Sequence, residues 1–207
     1  MRLYLVRHGQ STNNANERKV PDPPLTPTGL AQAHAAGRAL AAEQTPFAAI
    51  YTSPMRRALE TAQALRAALH APVTALCGLC ETGGLMTHPG LSRAEILREW
   101  PDVCLDPSIT ETGWWTPCEI EEAEDVAFAR AERMLTDLQT RHAPEDSLVV
   151  VTHGTFGNAI LSTLLGLPPA GRLRFHLDNT GITRADLRQE TVRIYYHNIT
   201  SHVRGEG

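Results

Sequence analysis

No run of apolar residues approaches the roughly 20 that a membrane-spanning helix needs. The amino terminus enters Arg2-Leu3-Tyr4-Leu5-Val6 without a secretory-leader pattern. A soluble, cytoplasmic protein with no membrane partner is expected. Basic charge is also scarce: 19 Lys and Arg stand against 23 Asp and Glu, a formal net charge of -4. Nucleic-acid-binding domains carry a basic excess that neutralises phosphates, so no nucleic-acid partner is expected, which leaves room only for a local basic pocket. Cysteine is sparse too. Cys77, Cys80, Cys104 and Cys118 are too few for a disulfide framework of the small secreted kind. Cys77 and Cys80 form a C-x-x-C with no second pair at ligand spacing, which favours ordinary buried thiols over zinc or redox use. Nine histidines are present, yet no H-E-x-x-H or paired-carboxylate motif accompanies them, so neither a metal nor a cofactor is expected.

What the chain does have is apolar material for one well-buried core: 42% of its 207 residues are hydrophobic, and a single domain over 1–207 is the default. Arg2 to Val6 is a short apolar run that delivers Arg7-His8-Gly9 at the end of a buried parallel strand. Thr26-Pro27 supplies an N-cap and a first-turn proline to a helix whose apolar face is Leu30, Ala33, Gly37, Leu40 and Ala41. Ala48 to Thr52 is a second strand, and Ser53-Pro54 reads as cap plus first-turn proline of a second helix. Pro72 to Leu76 suits a third strand, Ser92 to Trp100 a short helix, and Glu119 to Arg141, through Ile120, Ala123, Ala127, Ala131, Met134 and Leu138, a long amphipathic helix. Ser147 to Thr152 is the clearest buried strand and ends at His153-Gly154, before a helical stretch through Leu165. Arg172 to Leu177, Gly181 to Leu187 and Thr191 to Asn198 read as final strands, one of them at a sheet edge. Alternating strands and helices predict an α/β three-layer α/β/α sandwich with a mostly parallel central sheet, in which ligands gather outside the carboxyl ends of the strands. Both His-Gly pairs fall there.

Four segments carry a resemblance. Leu5-Val6-Arg7-His8-Gly9-Gln10-Ser11 resembles the signature of the histidine phosphatase superfamily, which includes the cofactor-dependent phosphoglycerate mutases. Leu25-Thr26-Pro27-Thr28-Gly29 with Gln32-Ala33, Ser53-Pro54-Met55-Arg56-Arg57-Ala58 with Thr61-Ala62, and Val151-Thr152-His153-Gly154 follow in the family's order.

The resemblance implies a phosphate-ester hydrolysis in which His8 is the nucleophile, Arg7, Arg57 and His153 clamp the phosphoryl group, and Gly154 joins them in binding. The chemistry is coherent. A neutral imidazole can attack phosphorus and split hydrolysis into two easier steps, and the charge on the equatorial oxygens needs fixed donors more than covalent help. Arg57 is preferred to Arg56 because the motif sets its arginine directly before Ala58. Asn14, six residues past His8, stands where the family often places an amide on the phosphate, with a turn-forming Asn nearly as plausible. Glu81 lies where the family's catalytic glutamate precedes a glycine-containing loop and is the expected general acid, kept protonated beside bound phosphate so that the optimum is mildly acidic to neutral. The usual aromatic and glycine pattern after it is here Gly83-Gly84-Leu85-Met86-Thr87-His88. Trp114 and Trp115 suit a substrate mouth and a packed core equally. His88, His176 and His197 have no motif and are assigned no role.

Mutases of the family carry paired arginines in the insertion after the glutamate, and here Arg93, Arg98, Arg130, Arg133 and Arg141 stand apart. A metal-independent phosphatase acting on a small-molecule phosphate ester is therefore favoured. The alternatives are a phosphoglycerate mutase-type transfer, a non-catalytic phospho-ligand binding module and a metal-assisted hydrolase. Oligomeric state is left open, with a homodimer as one option.

Overall fold

Along β1 (Arg2–Arg7) successive side chains point to opposite faces, and both faces are apolar. Tyr4 and Val6 belong to one buried cluster, Leu3 and Leu5 to another. The same split occurs in β5 (Ser147–Thr152), where Val149 and Val151 face the first cluster and Leu148 and Val150 the second. A sheet apolar on both faces must be covered on both. The first face is covered by α1 (Pro27–Ala42) through Ala36 and Leu40, α2 (Arg56–Leu69) through Ala58, Leu59, Ala62 and Leu65, and Ile96 of the short α3 (Arg93–Glu99). The second is covered by α4 (Glu124–Arg141), through Phe128, Ala131, Met134, Leu135 and Leu138, and by α5 (Gly154–Leu164), through Phe156, Ala159, Ile160 and Leu161. This is the expected three-layer α/β/α sandwich. The computed structural model describes residues 1–16, 20–85, 87–116, 122–169, 171–188 and 191–204; Met86, Cys118 and residues 119–121, including Ile120, lie outside them.

The remaining strands are β2 (Ala49–Thr52), β3 (Val73–Ala75), β4 (Val103–Leu105), β6 (Ile182–Leu187) and β7 (Val192–Ile199). They form one sheet in the order β4-β3-β2-β5-β1-β6-β7. The five strands from β4 to β1 are parallel, and β6 and β7 extend the sheet antiparallel, with β7 at the edge. The feature that matters for function is the central pair. β1 and β5 run parallel in register from Arg2 opposite Ser147 to Arg7 opposite Thr152, so the next residue of each strand, His8 and His153, emerges at the same end of the sheet.

Several local readings hold. Thr26 caps α1, its side chain accepting the Gly29 N–H, with a proline in the first turn. Ser92 caps α3 in a capping box with Glu95. Others need correction. α2 begins at Arg56 rather than at Pro54, because the Ser53 hydroxyl accepts the Met55 N–H in a turn of its own. Met55 then stands at the cap position without a side-chain bond, and the Arg56 N–H is satisfied from a distant loop by Asp22 Oδ1 at 2.9 Å. α4 begins at Glu124, with Ala123 extended at its cap. Arg172 to Leu177 is not a strand: the Phe175 N–H goes to Asn158 Oδ1 and the Leu177 carbonyl accepts from Arg7, so these backbone groups are satisfied by side chains rather than a ladder. β4, three residues long, is too short for its period to be read. A four-residue helix, α6 (Ser201–Arg204), follows β7.

Candidate active site

The loop leaving β1 is built on close backbone approach. A Cβ placed on Gly9 would lie 2.4 Å from the Gly29 carbonyl oxygen, and one on Gly29 only 2.0 Å from that of Gln10, so side chains are excluded at both contacts. This packing sets His8 beneath the start of α1, 3% exposed. Its Nδ1 lies 2.7 Å from the Gly9 carbonyl. A carbonyl can only accept, so Nδ1 carries the hydrogen and Nε2 the lone pair. The tautomer of His8 is thus set by the glycine next to it.

Arg57 reaches Nε2 of His8 from the first turn of α2, donating from Nε at 3.1 Å. Its remaining contacts are weak: Nη2 lies 3.4 Å from the Met55 sulfur, and Nη1 is 4.0 Å from Asp22. Arg7 donates to the Leu177 carbonyl from one terminal nitrogen at 2.6 Å, while its buried Nε has no partner. His153, fully buried at the cap of α5, has no partner at either ring nitrogen. Its ring centroid is 5.1 Å from that of His8. Buried donors are nearly always paired. A guanidinium N–H and one imidazole N–H left over beside His8 are donors of the kind that suit the oxygens of a phosphoryl group.

Electrostatics agree with this geometry. Burial, and then the positive charge of Arg57, hold the His8 imidazole well below the ordinary histidine range. Burial, Arg57, His8 and Arg7 do the same to His153. Burial also works against the charge on Arg57, opposed first by Asp22 and then by Glu81. Both imidazoles are therefore neutral at physiological pH, beside the buried guanidinium of Arg57 and the half-buried one of Arg7.

Glu81 follows a short 3-10 turn (Cys77–Leu79) and meets the start of α5. Its Oε1 accepts the N–H of Thr82 at 3.0 Å and of Phe156 at 2.8 Å, and Oε2 accepts that of Thr155 at 3.2 Å. Arg7, Glu81, Gly154 and Thr155 together line one wall of a cavity of about 530 Å³, and Phe128, Phe175 and Leu177 contribute its apolar surface. The Gly83-Gly84 departure from the family pattern has a physical reason. Gly83 and Gly84 both adopt positive φ, 72° and 52°, and a Cβ on Gly84 would meet the ring of Trp115 at 2.6 Å. Trp114 is buried and Trp115 packs against the same core; neither lines the cavity. Both indoles pack the loop after Glu81.

Asn14 is exposed. Its Oδ1 accepts from the Ser11 N–H and hydroxyl and from Asn179 Nδ2, which also donates to the His8 carbonyl. Arg56 turns away to α3, where it holds Glu99 at 2.5 and 2.7 Å. His88 and His197 bond to Gly90 and Thr183. His176, by contrast, lines the cavity, as does Arg174. Arg174, Asp22 and Asn179 carry no sequence signal, because they lie in loops and in a run that reads as a strand, and His176, assigned no role for want of a motif, lies in that same run. Among the described residues, no group of three or more His, Cys, Asp or Glu is placed to hold a metal ion.

Comparison with known proteins agrees over nearly the whole chain. The model of the histidine phosphatase superfamily (branch 1) matches residues 3–200. A Hydrogenobacter thermophilus protein provisionally named phosphoserine phosphatase 2 is 29% identical over 98% of both chains. A Yersinia pestis protein named probable phosphoglycerate mutase GpmB is 30% identical over 91% of this chain and 86% of its own. The solved structure of a mycobacterial glucosyl-3-phosphoglycerate phosphatase, in complex with VO3, superposes with a TM-score of 0.67 at 28% identity, covering 95% of this chain and 98% of the other.

Proposed function

This chain belongs to the histidine phosphatase superfamily, and from that premise we propose that it is a metal-independent phosphatase that hydrolyses a small phosphate monoester through a phosphohistidine at His8. One observation carries the reading: Arg57 Nε donates to His8 Nε2, the nitrogen that bears the lone pair, beside a buried Arg7 Nε and a buried His153 ring that have no partner within the protein.

The steps follow from the atoms in place. Nε2 attacks phosphorus in line with the ester oxygen, the P–O bond breaks, and the leaving oxygen takes a proton from Glu81. Arg7, Arg57 and His153 hold the equatorial oxygens, where charge accumulates. In the second half Glu81, now a carboxylate, takes a proton from water as its oxygen attacks phosphorus. The P–N bond breaks and inorganic phosphate and neutral His8 are released. Gly154 contributes at the start of α5, where the helix dipole favours an anion.

Rapid-quench labelling with a radioactive phosphate ester should trap an acid-labile adduct on His8. Normal turnover in His8→Ala, or a label on another residue, overturns the nucleophile. EDTA should leave turnover intact; a complete loss restored by a divalent ion would refute metal independence.

Phosphatase is favoured over mutase by the cavity's own cations. Besides Arg7 the other arginine is Arg174. Arg174 pairs with Glu124 at 3.1 Å, so it holds a second phosphate only by breaking that ion pair, and the His176 ring is engaged with Asp178 Oδ1 at 3.0 Å. Water then accepts the phosphoryl group. Turnover of 3-phosphoglycerate to its isomer faster than release of inorganic phosphate would reject this assignment.

A further inference from the structure

Arg130 lies on α4, where its periodicity reads as part of a charged outer face, yet its side chain is only 15% exposed. Its fork is fully used. Nε and Nη2 hold the carboxylate of Glu122 at 2.9 and 2.5 Å. Nη1 donates to two carbonyls, Gly78 and Cys80, each at 2.9 Å. The guanidinium also lies over the Phe156 ring, 3.7 Å from its centroid. These contacts have a common target. The carbonyls of Gly78 and Cys80 belong to the turn that leads directly into Glu81, and Phe156 is the residue whose N–H holds Glu81 Oε1. Arg130 thus grips the chain before the glutamate and the helix turn on which its carboxylate docks, without being among the residues that line the cavity.

We propose that Arg130 is a positioning residue that sets the Glu81 carboxyl group for proton transfer, with Glu122 as the anchor that orients the guanidinium. The role rests on reading Glu81 as the proton donor. It needs a planar, forked cation: a lysine ammonium in the same place keeps the charge but cannot bridge a carboxylate, two carbonyls and a ring face at once. A shift of about 1 Å in a catalytic group can cost about 100-fold in rate, so a small loosening of the turn suffices.

Proton donation matters most when the leaving oxygen is a poor leaving group. The test therefore compares kcat/KM for glycerol 3-phosphate and p-nitrophenyl phosphate in the wild type and in Arg130→Lys, each with and without Glu81→Gln. kcat/KM covers only the steps through loss of the alcohol, so dephosphorylation of His8 does not enter it. Arg130→Lys should lower the alkyl ester at least tenfold more than the aryl ester, and should leave the ratio between them unchanged once Glu81 is Gln. Glu122→Gln, which weakens the same fork while keeping the arginine in place, should act in the same direction. An equal fall on both esters in Arg130→Lys and Glu122→Gln, with Glu81→Gln alone still discriminating, overturns the proposal and leaves the acid assignment standing. If Glu81→Gln does not discriminate, the acid assignment fails and the positioning role fails with it.

Discussion

The two imidazoles of the site carry a measurable signature because both are held neutral by burial and by their arginine neighbours. In the unfolded chain each takes up a proton as the pH falls through about 6.5, whereas in the folded enzyme neither does until much lower pH. Their contribution to stability is complete above that value and is lost progressively as the pH falls below it. The melting temperature should decline between pH 7 and pH 5, and more shallowly in a His8→Gln/His153→Gln double variant; an identical decline would contradict the assignment. Because His8 is held neutral below the ordinary histidine range, the proposed mechanism assigns an activity loss just below pH 6.5 to another group. Arg57 tests the clamp. Arg57→Lys keeps a charge but loses the Nε–H aimed at His8. Loss of one preorganised donor costs about 100- to 1000-fold. That fall should be equal for alkyl and aryl esters, because the clamp acts on the phosphoryl group and not on the leaving oxygen.

Elements show where sequence patterns carry information and where they do not. β1 and β5 are legible because a strand buried on both faces is a continuous apolar run, and α1 because Thr26-Pro27 caps it within its own sequence. Arg7, His8 and His153 follow as residues attached to those strands, whereas Arg57 follows from its place directly before Ala58 in the motif. α2 is less legible at its start, because its cap comes from Asp22, 34 residues away, in a loop that sequence reads only as polar and proline-rich. Asp22→Ala should remove about 1 kcal/mol of helix capping, a drop of about 2–4 °C in melting temperature for a chain of this size. Asp22→Asn, which keeps an oxygen for the Arg56 N–H, should recover most of it. Arg130 is hidden for the same reason. Its partners Gly78 and Cys80 are 52 and 50 residues away, and a helical period says nothing about them. The loop after Glu81 reverses the lesson: Gly84 departs from the family pattern because Trp115 occupies the place of its Cβ and its φ is positive. Gly84→Ala should cost at least about 1–3 kcal/mol, read by denaturant unfolding.

At the scale of the whole molecule, the sheet gathers a site from segments that are remote along the chain. The fold class was legible in the alternation of strands and helices. The antiparallel extension through β6 and β7 and the non-strand course of residues 172–177 were not, because tertiary hydrogen bonds decide them. The central pair of the sheet joins residues 2–7 to residues 147–152, which has a consequence for a chain still on the ribosome. His8 and Arg57 are synthesised early, but His153, two of the three amides that seat Glu81 and the carbonyl that holds Arg7 come after residue 147. At about 5–20 residues per second, the nascent His8 waits on the order of ten seconds for its neighbours, with both sides of β1 unpaired. Ribosome-stalled chains that expose fewer than about 150 residues should accept no phosphoryl label on His8, and labelling should appear abruptly once β5, α5 and β6 have cleared the exit tunnel.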